Sequence, residues 1–87
     1  MVARFGGEEF VVLLVGASLA EAMAIAEETR RTIGSLGFHF KGTPVTVTAS
    51  CGLTDLRDGD NASTAFDRAD RALYRAKDAG RDRCLSG

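Results

Sequence analysis

Apolar and polar residues recur along the chain with two different periods, and each period predicts a different kind of element. Residues 2–5, which are apolar except for Arg4, and the apolar run 10–15 lie on either side of Gly6-Gly7. Because glycine tolerates the positive φ angles of tight hairpin turns, this pattern predicts a β-hairpin. Its second strand, Phe10 to Val15, is apolar on both faces, which is typical of a central strand that is buried from both sides.

A helix is predicted to begin at Ser18, because Ser18 and Glu21 have the spacing of a capping box. Apolar residues then follow a helical spacing along one face: Leu19, Ala22, Met23, Ala26, Ile33 and Leu36. Charged residues such as Glu27 and Arg30 fall mostly on the other face. Gly34 or Gly37 is expected to end this helix.

A second hairpin is predicted from residues 38–40, a turn at residues 41–44 and a strand from Val45 onward. This strand alternates without a break and places five apolar residues on one face: Val45, Val47, Ala49, Cys51 and Leu53. Polar residues occupy the other face, so the strand is expected to be half-buried.

The last part of the chain predicts a second helix over residues 63–79, with Phe66, Ala69, Leu73 and Ala76 at helical spacing. Gly80 is placed to close this helix, and a short strand is expected near Cys84. The order of elements predicts an α+β domain with an antiparallel sheet and helices packed on one face.

Composition and charge narrow the functional classes. The 87 residues are 45% hydrophobic and 26% charged, which is typical of one small globular domain. A formal charge of -1 argues against a nucleic-acid coat or an anionic-membrane anchor. The longest apolar run is too short to cross a bilayer and no signal sequence follows Met1, so a soluble, cytoplasmic protein is expected.

Two cysteines and one histidine do not provide the ligands of a structural zinc site. Cys51 lies in an apolar strand, and both Cys51 and Cys84 are interpreted as reduced structural residues. His39 lies between Phe38 and Phe40 and is expected to be exposed on the second hairpin rather than catalytic.

Four charged residues are candidates for chemistry. Glu8 and Glu9 adjoin the glycine turn, and adjacent carboxylates there could hold a hard cation such as Mg²⁺. Lys77 and Arg81 lie near the end of the last helix and could bind a triphosphate. The alternative is that all four are solvated surface charges. The residues alone favour this alternative, because charges at a hairpin tip and at a helix C-terminus are usually solvated.

Three stretches favour a chemical role for these four residues over solvated surface charges, because the stretches resemble the GGDEF family of diguanylate cyclases. Residues 3–10, ARFGGEEF, resemble the family signature in the variant with Glu at its third position. Residues 69–82 resemble the family's last helix and the turn after it, and residues 45–52 resemble its penultimate strand. The matches occur in family order, on the predicted hairpin, strand and helix, and the resemblance covers essentially all of the chain.

The resemblance implies that residues 1–87 are the C-terminal portion of a single GGDEF domain, whose N-terminal half has no counterpart in this sequence. The family fold is similar to nucleotidyl cyclase and ferredoxin-like palm domains, and its central first strand is missing here. A metal-binding Asp, the residues that read guanine and the product-inhibition site would lie upstream of Met1.

The implied reaction condenses two GTP molecules into cyclic di-GMP and pyrophosphate, with two Mg²⁺ ions, or Mn²⁺ in their place, in a homodimer of the complete domain. An upstream sensor or receiver domain is implied in the parent protein. Glu8 is implied as a catalytic metal ligand, and Glu9 as the second catalytic acid.

Substrate contacts are implied for four further positions. Gly6 and Gly7 would let the backbone approach the nucleotide, and Lys77 and Arg81 would contact the triphosphate. The isolated chain is expected to be inactive. Two alternatives remain: a GGDEF-derived module that binds GTP or a protein without catalysis, and a merely structural α+β fragment.

Overall fold

The computed structural model describes the backbone of residues 2–5 and 10–13 and all of residues 16–87. The elements within these ranges are β1 (Val2–Phe5), β2 (Phe10–Leu13), α1 (Leu19–Ser35), β3 (Phe38–Phe40), β4 (Thr43–Val45), β5 (Cys51–Thr54), α2 (Ala62–Asp78) and β6 (Cys84–Ser86). The predicted α+β class is confirmed, as are the first hairpin and the short terminal strand.

Four strands form the main sheet in the order β2-β1-β5-β6. Strand β1 pairs antiparallel with both β2 and β5, whereas β5 and β6 are parallel. The predicted central position of residues 10–15 is wrong for the part that the structure describes, because β2 lies at the sheet edge. An apolar run does not identify the neighbours of a strand, since residues distant in sequence decide the pairing.

The predicted continuous strand from Val45 to Leu53 is also wrong. The structure divides it into β4 and β5, and residues 46–50 between them belong to no strand. Strand β4 pairs with β3 across a two-residue turn, Lys41-Gly42, in which both φ angles are positive. Val45 of this separate hairpin and Val47 in the stretch after it are 41% and 37% exposed rather than buried.

The first helix begins as predicted. The Glu21 amide donates to Ser18 Oγ at 3.1 Å, and the Ser18 amide donates to Glu21 Oε1 at 3.3 Å, so the capping box is complete. Helix α1 ends at Ser35, between the two glycines expected to end it. Helix α2 has Asn61 as its N-cap. No helix in the described part of the chain is long and apolar enough to cross a membrane.

The helices lie on opposite faces of β5, which differs from the one-sided layering expected from the sequence. Cys51 and Leu53 pack with Ala22 and Ala26 of α1. Successive residues of a strand point to opposite faces of the sheet, so Gly52 lies on the face opposite to that of Cys51 and Leu53. On that face it lies against the backbone of α2. All four residues of β5 are therefore buried.

Helix α2 packs against the sheet through small side chains. Its fully or almost fully buried residues are Ala65, Ala69, Ala72, Leu73 and Ala76. Alanine permits a close approach of helix and strand backbones, and this approach brings the C-terminal end of α2 close to the start of β5.

The opposite end of α2 is anchored by Asp60. Its carboxylate accepts hydrogen bonds from the Arg57 amide at 2.8 Å and from Thr64 Oγ1 at 3.0 Å, and it forms a bidentate ion pair with Arg68. Both side chains of the ion pair are largely shielded from solvent. The Arg57 amide, followed by Arg68 and Thr64, lowers the pKa of Asp60.

This anchor predicts a pH-dependent stability. Because the folded-state pKa of Asp60 lies below its ordinary value of 3.8, its contribution is present above that value and is lost as the pH falls through the folded-state pKa. We expect Asp60→Asn to lower the urea midpoint at pH 7, and the difference from wild type to narrow below pH 3.8. An equal difference at all pH values would contradict this.

Candidate functional site

The candidate metal and catalytic segment, Gly6 to Glu9, lies outside the described residues, but the strands that flank it are described. Phe5 is the last residue of β1 and pairs with Phe10, the first residue of β2. This register identifies the end of the sheet at which the segment joins the two strands.

The turn after α2 lies at the same end of the sheet. Phe5 pairs with Cys51 of β5, and Cys51 in turn pairs with Cys84 of β6. Cys84 follows closely after Arg81 in the chain. Phe10, Phe5, Cys51 and Cys84 therefore belong to one row across the sheet, and this row joins the two residues that flank the Gly-Gly-Glu-Glu segment in the sequence to the strand that follows the turn with Arg81.

The structure brings Lys77 and Arg81 together. Both line a groove of about 230 Å³ at the C-terminal end of α2, together with Tyr74 and Asp78. Lys77 is half-buried and Arg81 is exposed. Asp78 offsets one of the two positive charges, so the groove keeps a net positive charge that suits a phosphate-bearing ligand.

Helix α2 ends in a Schellman motif around Gly80, which has a φ of 119°. The Gly80 amide donates to the Lys77 carbonyl at 3.3 Å, and the Arg81 amide donates to the Ala76 carbonyl at 2.9 Å. Arg81 and Asp82 also have positive φ angles, 63° and 47°. For residues with a β carbon this conformation costs roughly 1–2 kcal/mol each, so the turn needs support from elsewhere in the fold.

Two residues from other elements provide that support. Ser50 is buried, and its Oγ accepts a hydrogen bond from the Asp82 amide at 3.1 Å. Arg30 of α1 donates from Nη1 to Asp82 Oδ1 at 2.8 Å. Sequence reasoning missed both contacts, because Arg30 looks like a charged residue of a helix surface and Ser50 like an ordinary strand residue.

Cys51 and Cys84 are buried free cysteines, and their interpretation as reduced structural residues stays a prediction. The neighbouring Cys51 thiol and burial raise the pKa of Cys84. Cys84 therefore stays protonated at neutral pH, and a protonated thiol is a poor nucleophile. His39 is exposed in β3, as predicted.

Metal ligation depends on the undescribed segment. Within the residues that the structure describes, no group of three or more His, Cys, Asp or Glu side chains could hold a metal ion. The carboxylates of Glu8 and Glu9 are donors that suit Mg²⁺ chemically. Because they lie outside the described residues, their role stays a prediction.

A larger groove of about 410 Å³ shares Tyr74 with the first groove. It is lined by Arg68, Arg71, Tyr74, Arg75 and Gly87. Two of its guanidinium groups have structural partners, since Arg68 binds Asp60 and Arg75 donates to the Ser86 carbonyl at 2.9 Å. We assign this groove no part in the candidate site, although it is the larger of the two.

Known proteins similar to this chain agree on one family. The sequence model of the family described as "Diguanylate cyclase, GGDEF domain" matches residues 1–83. Diguanylate cyclase DgcP of Pseudomonas aeruginosa is 51% identical over 82 residues, which cover 94% of this chain and 12% of DgcP. The chain thus spans a small part of that relative's length.

Two solved structures are similar in fold. The active GGEEF domain of a diguanylate cyclase from Vibrio cholerae superposes with a TM-score of 0.82 at 32% identity, covering 93% of this chain and 51% of that one. The GGDEF domain of DgcB from Caulobacter crescentus, solved in complex with c-di-GMP, gives a TM-score of 0.87 at 27% identity and covers 93% and 49%.

Proposed function

Since this chain belongs to the GGDEF family of diguanylate cyclases, we propose that it is the C-terminal portion of a domain that condenses two GTP molecules into cyclic di-GMP. One observation carries the proposal beyond family membership. Phe5 and Phe10, which flank the Gly-Gly-Glu-Glu segment in the sequence, share one row of the sheet with Cys84, three residues after Arg81, and this row supports a common site.

In the proposed reaction, the 3′-hydroxyl of each GTP attacks the α-phosphate of the other, and the bond to pyrophosphate breaks. Each GTP is held by one copy of the complete domain, so the active form is a homodimer. Bound Mg²⁺ would lower the pKa of the attacking hydroxyl and neutralise the leaving group. Glu8 would hold this ion and accept the hydroxyl proton, and Glu9 would act as the second acid beside the ribose.

The remaining site residues bind substrate. Gly6 and Gly7 would let the backbone approach the nucleotide, because they have no side chain to keep it away. Lys77 and Arg81 would pair with the β- and γ-phosphate oxygens from their common groove. A GTP-consuming domain of this kind would act in the cytoplasm, under the control of an upstream sensor or receiver domain.

The 87-residue chain alone is proposed to be inactive. This chain covers 49% and 51% of the two solved GGDEF-domain chains, so each of them is about twice as long as the part that it matches. A single carboxylate pair without the rest of the domain cannot hold two ions and two nucleotides in reacting geometry.

A chimera tests the proposal. The upstream part of the DgcP GGDEF domain is joined to residues 1–87, and cyclic di-GMP is measured by chromatography after incubation with GTP and Mg²⁺. We expect product from the chimera and none from the 87-residue chain. Product from the chain alone would contradict its inactivity, whereas GTP binding without product in the chimera would favour the non-catalytic module.

The same chimera tests the two cations. Lys77→Ala or Arg81→Ala should weaken GTP binding by about ten- to a hundredfold, because each removes a charge-assisted contact with phosphate. Arg71→Ala is the matched control, since it removes a cation of the same helix that lines the other groove. Unchanged affinity in both Lys77→Ala and Arg81→Ala would mean that these are solvated surface charges.

A further inference from the structure

The turn after α2, which carries Arg81, has a backbone conformation that residues with a β carbon rarely adopt. Gly80, Arg81 and Asp82 all have positive φ angles, and only the first of them is glycine. Hydrogen bonds to Ala76 and Lys77 fix where the turn leaves the helix. They do not hold Asp82 in the left-handed region.

Asp82 is held instead by two different parts of the fold. Its amide donates to Ser50 Oγ at 3.1 Å, and Ser50, which immediately precedes β5, is 6% exposed. Its carboxylate accepts from Arg30 Nη1 at 2.8 Å. One contact fixes the backbone of Asp82, the other its side chain, and together they restrict the residue that follows Arg81.

Arg30 is itself fixed before it reaches Asp82. Its Nε and Nη2 donate to the carboxylate of Glu27, with an Nη2 to Oε2 distance of 2.9 Å. The Arg30 side chain is 20% exposed, and the hydrogen bond with Arg30 lowers the pKa of Glu27, so the pair is charged at neutral pH. A guanidinium held at one edge presents its remaining nitrogen in a defined direction.

We propose that Arg30, Ser50 and Asp82 are positioning residues that hold the turn in the conformation from which Arg81 binds phosphate. The inference rests on the proposed function, because it assigns these residues to the phosphate end of the same site. Without them, Asp82 would leave the left-handed region, and Arg81 would sample conformations directed away from the groove that it shares with Lys77.

The test uses the DgcP chimera described above and inorganic tripolyphosphate, a probe that carries only the charged part of the nucleotide. NMR titration gives the tripolyphosphate affinity, and hydrogen exchange gives the protection of the Arg81 and Asp82 amides. Arg30→Ala and Ser50→Ala should each weaken binding by roughly three- to tenfold and speed exchange at Asp82. Arg30→Lys should restore part of the affinity.

Arg31→Ala is the matched control. Arg31 lies next to Arg30, is 71% exposed, and approaches Glu27 only to 3.9 Å without reaching Asp82. We expect it to leave both readouts at wild-type values. Asp82→Asn is a second variant that keeps a residue tolerant of positive φ and removes the charge, so weaker binding by this variant reports the ion pair rather than the backbone.

A double variant separates positioning from direct contact. If Arg30 acts through Arg81, Arg30→Ala should have no further effect on affinity in an Arg81→Ala chain. Additive effects would overturn the inference, as would wild-type affinity in Arg30→Ala and Ser50→Ala while Arg81→Ala is weakened. If Arg81→Ala leaves the affinity unchanged, or wild type shows no binding, the phosphate role in the proposed function fails and this inference fails with it.

Discussion

Glu8→Gln in the DgcP chimera is expected to abolish cyclic di-GMP synthesis, with a loss of about a thousandfold or more. Glutamine has nearly the size and shape of glutamate, so the hairpin should keep its structure. The amide lacks the negative charge that holds a hard cation and cannot accept the proton of the attacking hydroxyl. Glu9→Gln should cause a loss of the same order, because the proposed site needs both acids.

The measurements separate metal binding from folding. Turnover is measured against Mg²⁺ concentration, and thermal unfolding is measured on the same samples. Glu28→Gln is the control, because it removes an exposed carboxylate of α1 outside the candidate site. Turnover by Glu8→Gln close to that of Glu28→Gln would contradict the assigned role, and an unfolded Glu8→Gln protein would be replaced by Glu8→Ala, which also removes the carboxylate.

The predictions that were confirmed depend on short-range signals. The capping box at Ser18 and the glycine cap at Gly80 each involve residues within one or two helical turns, and both form in the structure as predicted. Helical periodicity likewise identified Ala69 and Leu73 as core residues. Such features depend on backbone geometry that neighbouring residues determine.

The predictions that failed depend on which strands meet. Residues 45–53 have an unbroken alternation, yet the chain divides there between two sheets. Residues 10–15 have the composition of a central strand, yet β2 lies at an edge. Periodicity indicates which side of a strand is apolar, but the choice of partners is made by the whole fold.

The candidate site shows the same division. Lys77 and Arg81 could be singled out because they lie four residues apart at a helix end, and the groove that they share is local. The contact between Arg30 and Asp82 joins residues 52 positions apart. No pattern in either segment marks it, since it exists only after α1 and the turn have packed on the same sheet.

Gly52→Ala is expected to destabilise the fold more than Gly→Ala at any other glycine that the structure describes. A β carbon at Gly52 would collide with the Ala69 carbonyl oxygen and with the Leu73 amide nitrogen. Both atoms belong to the backbone of α2, so no side-chain rotation relieves the contact. The helix would have to move away from β5, which would loosen the packing of Ala69 and Leu73 against the sheet.

We expect Gly52→Ala to lower the free energy of unfolding by about 3 kcal/mol or more. A domain of this size has a total of roughly 5–10 kcal/mol, so a large fraction would be lost. Urea unfolding followed by circular dichroism measures the effect. Gly34→Ala is the matched control: a β carbon at Gly34, near the end of α1, has nothing within 4 Å, and it should stabilise the helix by about 0.5–1 kcal/mol. A Gly52→Ala midpoint at or above that of wild type would show that α2 does not pack directly on the β5 backbone.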